Sequence, residues 1–320
     1  MFHKYPVESN EFYPNRFFLV FNRLAGKNKK EDIRSIISLA EKNNIKFHRI
    51  YILPEEPIRY KDFEVDDIVF IKGGDGTTHQ FLTSLIHHNG KKSIPFIAHM
   101  YGGSMCTVEK CLRIPERRKL IEKISKYIKD RVIRFIPRPS IHIEFENSNY
   151  ETKYGFLFGS IVAATFLRDY YSYGETGPKT AIRTVLYYLK GVLLLKTEIL
   201  AKFSPQKVRI KSEDFGKKEM NSYLLGASTV HSFGLNFSTF PKAPDYQDKF
   251  NFIGTSLNPL VLAFFIPSIY FGILPPGSIN FVSNDVQIEF ESKQNFTIDG
   301  DLYSAKNINL KIGPTVRFIT

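Results

Sequence analysis

The first third of the chain alternates strand-like and helix-like segments, and that alternation constrains the fold more than any other feature. The run RFFLVFN (16–22) is short and apolar, as a buried strand is. Residues 31–42 then place Ile33, Ile36, Ile37 and Ala40 at helical spacing. FHRIYIL (47–53) and DDIVFI (66–71) read as two further strands. TTHQFLTSLIHH follows as a helix whose apolar side is Phe81, Leu82, Leu85 and Ile86, and SIPFIAH (93–99) is the next strand. A βαβα order predicts a parallel sheet covered by helices, because parallel neighbours are joined only through crossovers.

The pattern changes after about residue 135. IHIEFE (141–146), YGFLFG (154–159), KVRIKS (207–212) and NSYLLGASTV (221–230) are short strands with several alternating positions. DVQIEFES, NFTIDG, NINLKIG and TVRFIT follow near the C-terminus, with a helical stretch at 178–195 between the two groups. The chain of 320 residues therefore divides into an α/β domain (1–135) with a parallel sheet and glycine-rich loops, and a second domain (136–320). The second is a mainly antiparallel β-sandwich with inserted helices, its last strands free to return toward the first domain. With 43% apolar and 24% charged residues, both parts have the means to build a core.

The formal charge of +12 favours acidic partners such as nucleotide phosphates or anionic lipid head groups. Nucleic acid is not expected, because the basic residues are dispersed and the aromatic residues form no base-stacking module. The two cysteines, Cys106 and Cys111, cannot complete a four-ligand zinc set and point to a reduced, intracellular protein. The N-terminus lacks the apolar core of a signal peptide. The apolar stretch LNPLVLAFFIPSIYFGILPP (257–276) is broken by Pro259, Pro267, Gly272 and Pro275-Pro276. Its longest uninterrupted piece falls short of the roughly 20 residues a span needs, so a buried or partly exposed helix is expected, with a membrane-facing surface that meets acyl chains as the alternative.

Chemistry concentrates in three loops that leave successive strands. In 73-GGDGT-77, glycines let the backbone turn and bring its N–H groups to a ligand, and the following helix adds its positive end. Phosphate oxygens suit such a loop. Asp75 would repel a bare phosphate, and makes sense if it organises water on a bound Mg²⁺. Gly73, Gly74, Asp75, Gly76 and Thr77 are thus candidate nucleotide-binding residues. The first loop, 22-NRLAGKNKK-30, adds Asn22, Gly26 and Lys27, and the third, 101-YGGSMCT-107, adds Gly103, Ser104 and Thr107. Loops at the carboxyl ends of neighbouring strands converge on one crevice in an open α/β sheet. His79, where the next helix begins, is expected at the surface or in the cap, and Arg168, Lys179 and Arg183 are expected to be solvated charges.

This ordered set, Asn22…Gly26, GGDGT at 73–77 and GGSMCT at 102–107, resembles the catalytic domain of the diacylglycerol kinase and sphingosine kinase superfamily, which is related to NAD kinase. The resemblance implies a two-domain fold over nearly the whole chain, with ATP as co-substrate and Mg²⁺ assisting transfer to a lipid hydroxyl. It implies that 241-PKAPDYQD-248 presents Asp245 and Asp248 to a structural metal. It also implies that 299-DGD-301 places Asp301 where the family has its general-base Glu. A carboxylate there can accept the alcohol proton. The same four residues, 298-IDGD-301, also read as a hairpin turn, since Asp-Gly is a favoured turn pair.

The departures from the family pattern are specific. Arg23 replaces a proline, Ser104 a threonine, Cys106 an asparagine and Lys249 a glycine, and Asp301 has a stem one methylene shorter than Glu. The activity expected is an ATP-dependent lipid kinase acting on diacylglycerol or a sphingosine-like alcohol. The alternatives are an NAD kinase-like phosphotransferase and a noncatalytic nucleotide or lipid sensor. A cytoplasmic location with transient contact with an anionic membrane surface is expected, and the reading leaves room for a homodimer.

Overall fold

The structure is a computed structural model and describes residues 5–26, 32–146, 151–235 and 237–320. Lys27, a candidate phosphate contact, lies outside the described residues. The chain divides into two compact units, one of Lys4–Arg138 with Pro314–Thr320, the other covering Pro139–Gly313.

The first unit contains β1 (Glu8–Glu11), β2 (Phe17–Asn22), α1 (Ile33–Lys42), β3 (Arg49–Leu53), β4 (Ile68–Gly73), α2 (Asp75–Asn89), β5 (Phe96–Tyr101), α3 (Thr107–Leu112) and α4 (Arg117–Asp130). β6 (Val132–Glu146) begins in it and continues into the second unit. β3, β2, β4 and β5 lie side by side and parallel, with pairs such as Val20↔Tyr51, Val20↔Ile71 and Ile71↔His99. The end of the last strand joins this sheet parallel to β5, through Arg317↔Phe96 and Phe318↔Ile97. Every residue of β4 is buried, which is why its sequence, Lys72 apart, is an unbroken apolar run and not an alternating one. On α2, Phe81, Leu82, Leu85 and Ile86 are buried, as their spacing predicts.

The second unit contains β7 (Lys153–Gly155), β8 (Leu157–Ile161), α5 (Val162–Ser172), α6 (Pro178–Leu193), α7 (Thr197–Ala201), β9 (Gln206–Ser212), β10 (Gly216–Ser222), β11 (Leu224–Ser228), β12 (Phe250–Thr255), α8 (Pro259–Tyr270), β13 (Ile279–Ser283), β14 (Asp285–Ile298) and β15 (Asp301–Ile319), whose end reaches the first unit. Its pairings are antiparallel and run in the order β13-β12-β11-β8-β14-β15. β14 changes partner along its length. Residues 287–290 pair with β9 and 296–298 with β8, and the register against β15 shifts between Glu289 and Gln294. A bulge of this kind bends a strand and lets one segment serve two sheet neighbours. The inward side chains, among them Phe158, Ile210, Phe252, Phe296 and Ile308, form one apolar cluster.

The segment 257–276 forms α8, capped by the Asn258 side chain, which accepts from the Val261 amide at 2.9 Å. No residue of the helix, Pro259–Tyr270, is buried. Among the described residues no helix is long and apolar enough to cross a membrane.

Candidate active site

The second glycine loop is shorter than the sequence suggests. The chain leaves β4 at Gly73, Gly74 is the N-cap, and Asp75, Gly76 and Thr77 already form the first turn of α2. The Thr77 amide donates to the Gly74 carbonyl at 3.0 Å, which leaves the amides of Asp75 and Gly76 as those without a helical acceptor, at the positive end of the helix. Thr77 reaches back over the turn: its Oγ1 accepts from the Gly74 amide at 3.4 Å and from Asn22 Nδ2 at 2.9 Å. Asn22 Oδ1 in turn accepts from the Leu24 amide at 3.0 Å. Asn22 therefore ties the end of β2 to the start of α2. The Thr78 hydroxyl in the same turn is buried, with no hydrogen-bond partner among the described residues.

The glycines are required by close approach. A Cβ on Gly73 would lie 2.5 Å from the Thr77 side chain. A Cβ on Gly103 would lie 2.4 Å from the Gly74 Cα, and one on Gly74 would lie 2.9 Å from the Gly103 Cα. The second and third loops thus meet backbone to backbone, and any side chain would push them apart. Ser104 lies half-exposed in the bend after Gly103, and Gly26 lies in an exposed turn after β2.

Asp75 has a structural task that the sequence reading did not assign. Its Oδ2 accepts from the Thr107 amide at 2.8 Å and its Oδ1 from the Val108 amide at 3.0 Å. It caps α3 from another helix, because the N-cap residue Cys106 sits at φ 49 and makes no side-chain cap bond. The carboxyl is pushed up to about 7 by burial and then by the negative charge of Glu109, against the pull of the two amides. Glu109 is fully buried and lies 2.6 Å from Nδ1 of the buried His99. Burial works to raise its pKa, and the imidazole of His99 overcomes that, leaving Glu109 below the usual carboxylate range. The negative charge of Glu109 beside the buried Asp75 carboxyl thus favours a proton on Asp75.

The departures from the family pattern also have physical accounts. The Cys106 thiol donates to the Gly103 carbonyl at 3.3 Å, and burial pushes it up to about 12, so it remains protonated at neutral pH. It fastens the loop that an amide side chain would otherwise organise. The Arg23 guanidinium pairs with Glu55 at 2.7 Å. His79, expected at the surface, is fully buried within α2, where it shares a face with the buried Leu82 and Ile86. Lys72, which sequence reasoning passed over, is buried at the end of β4 and donates to the Tyr101 carbonyl. Its only sequence signal was a charge inside an otherwise apolar strand.

The remaining candidates lie in the second unit. Ile298 pairs with Asp301 across a two-residue turn. Asp299 and Gly300 both have positive φ (47 and 98), as a tight hairpin matching the strand twist requires. Asp299 is buried and accepts from the Phe156 amide at 2.9 Å, whereas Asp301, the first residue of β15, is half-exposed. The hairpin reading of IDGD thus holds, and it directs the two carboxylates to different surroundings.

Asp245 ends a 3-10 turn, Ala243–Asp245, and both it and Asp248 are exposed. Lys249 pairs with Asp214 at 2.7 Å. No group of three or more metal-ligating side chains occurs among the described residues. A hard cation needs a nearly complete oxygen shell, so two exposed carboxylates beside a lysine do not fit a structural metal site. In the first unit, by contrast, the backbone approach of Gly74 and Gly103, the open first turn of α2 and the unpartnered Thr78 hydroxyl fit the phosphates of a nucleotide.

Residues 16–135 match the family model of the diacylglycerol kinase catalytic domain. None of the curated proteins matches the sequence. Among solved structures, a diacylglycerol kinase from Bacillus anthracis str. Sterne is similar over 95% of this chain and 96% of its own, with a TM-score of 0.60 and 13% identity. Yeast NADH kinase in complex with NADH is similar over 96% of this chain and 84% of its own, with a TM-score of 0.54 and 11% identity. At these identities the structural likeness speaks for the fold.

Proposed function

We propose that this chain, which carries a diacylglycerol kinase-type catalytic domain in the two-domain fold shared with NAD kinase, transfers the γ-phosphoryl group of ATP to the hydroxyl of a lipid such as diacylglycerol or a sphingosine-like alcohol. The observation that carries the reading is the glycine contact between Gly74 and Gly103, which joins two loops beside the first turn of α2 inside the matched domain.

The roles follow from the chemistry of each group. The first-turn amides of α2 and the Thr77 hydroxyl hold phosphate oxygens, and Asn22 keeps Thr77 oriented. Gly26, Lys27, Ser104 and Thr107 belong to the flanking loops and contribute further contacts to the nucleotide. Asp75 fixes the start of α3 and so the position of the third loop. Asp301 accepts the proton of the acceptor hydroxyl as the phosphoryl group arrives. Mg²⁺ bound with the nucleotide supplies neutralisation of phosphate charge. Positioning and charge stabilisation account for most of the acceleration in such a reaction.

The test is incubation of the purified chain with γ-labelled ATP and Mg²⁺ in mixed micelles, with a panel of lipid alcohols beside NAD and Asp301→Asn as control. A labelled lipid that is lost in the variant supports the proposal. Label in NAD assigns the chain to the related nucleotide kinase activity. Nucleotide binding with no labelled product overturns the kinase reading in favour of a sensor.

A further inference from the structure

The outer faces of α6 and α8 are the most apolar exposed surface of the second unit. Ile182, Leu186, Leu189 and Leu193 follow one another at helical spacing along α6, and the opposite face, with Ala181, Thr184, Tyr188 and Val192, is buried. The stripe continues past the helix end into Leu194 and Leu195, which are 58% and 61% exposed. Leu195 sits at φ 50, where glycine is favoured, so a large apolar side chain is kept there at a conformational cost. α8 lies against the same small core through Leu260 and Ala263, and next to these it presents Phe264 to solvent, with Phe271 beyond the helix end, both 71% exposed.

Charge identifies what covers this face. Lys179, Arg183 and Lys190 lie along the flank of the α6 stripe at helical spacing, and Lys196 follows the leucines. No acidic residue occurs between Glu175 and Glu198, and residues 250–284 carry no charged side chain at all. A second copy of the chain docked symmetrically on this face would bring these cations against their own counterparts. An anionic bilayer surface would receive them among its head groups and the adjacent leucines and phenylalanines among its acyl chains. Since no described helix can cross a membrane, the two helices would lie in the plane of the interface.

We infer that the paired outer faces of α6 and α8, with the 193–195 leucines, form a docking surface for anionic lipid bilayers. The inference rests on the lipid-acceptor reading for its purpose. Vesicle binding is measured without nucleotide or acceptor, so the two ideas fail separately.

The chain contains no tryptophan, so Phe264→Trp introduces a single reporter on the surface in question. The experiment is flotation of the full chain with vesicles of phosphatidylcholine alone and of equal parts phosphatidylcholine and phosphatidylglycerol. It is paired with emission and bromolipid quenching of Phe264→Trp. Expected are binding to the anionic vesicles, a blue-shifted and quenched tryptophan, and partitioning lowered at least about tenfold by combined Leu186→Ser, Phe264→Ser and Phe271→Ser. Neutralising Lys179, Arg183 and Lys190 to glutamine should lower binding to anionic vesicles about fivefold per charge. Wild-type binding by the serine variant, or unchanged Phe264→Trp emission on vesicles, overturns the inference. So does a dimer in solution that the serine variant dissociates, which would assign the face to a second copy.

Discussion

Gly74 and Gly103 touch through their backbones, so that a Cβ added to Gly103 would fall 2.4 Å from the Gly74 Cα. No rotamer relieves this clash, because the obstructing atom is main chain. Gly103→Ala should destabilise the first unit by about 2 kcal/mol, the usual scale of overpacking. It should also weaken ATP binding by displacing both loops. Thermal unfolding with and without nucleotide checks this.

Asp75 gives the chain a pH signature. Its folded pKa of about 7 lies well above the ordinary aspartate value, so the folded state holds this proton more tightly than the unfolded chain does. The associated stability is present in full below pH 4 or so and is lost as pH rises through about 7. Asp75→Asn removes the titration. The wild-type unfolding midpoint should therefore fall relative to that of Asp75→Asn between pH 5 and pH 8, and parallel midpoints would show that the carboxyl is not held protonated.

The two acids of the β14–β15 turn should separate cleanly. Asp299→Ala removes a buried acceptor from the Phe156 amide and should cost about 1–3 kcal/mol of stability. Asp301→Asn, at a half-exposed position, should leave the unfolding midpoint unchanged. It should lower kcat with the lipid acceptor by roughly 10²–10⁴ while nucleotide affinity is retained.

Asn22 is predicted to act through Thr77. Asn22→Ala loses its bonds to Thr77 Oγ1 and to the Leu24 amide, about 1 kcal/mol each at most. The expected effect is a several-fold rise in KM for ATP with a small change in stability. Thr77→Val should reproduce it, and the double variant should add little to either, as shared partners require.

The alternation of the first third was legible because strand and helix periods differ and the α/β unit uses both in order. The approximate placement of α2, β4 and β5 followed from it, and so did the three loops. The start of α2 did not, because Gly74, Asp75 and Gly76 have loop-like propensities that tertiary packing overrides. α5, with the sequence VAATFLRDYYS, was missed for a related reason: its β-branched and aromatic residues suit a strand as well as a helix. The break at Tyr223, which divides NSYLLGASTV between β10 and β11, carries no turn residue of the usual kind. At the site, the residue types were readable but their division of labour was not. Capping of α3 by Asp75 and the burial of His79, His99 and Glu109 depend on neighbours distant in sequence.

The two-residue turn at Asp299–Gly300 has a further consequence for Asp301. In a strand, side chains alternate between faces, so the address of the carboxylate is fixed by parity: one residue more or fewer in the turn would send it to the opposite side of the ladder. The turn is held on both flanks, by Asp299 on the Phe156 amide and by the Tyr171 hydroxyl donating to the Gly300 carbonyl at 3.0 Å. Length is thus the guarded property of this hairpin. Substitutions at its tip test side-chain chemistry, whereas a single-residue insertion would invert the reading frame of the whole strand that follows.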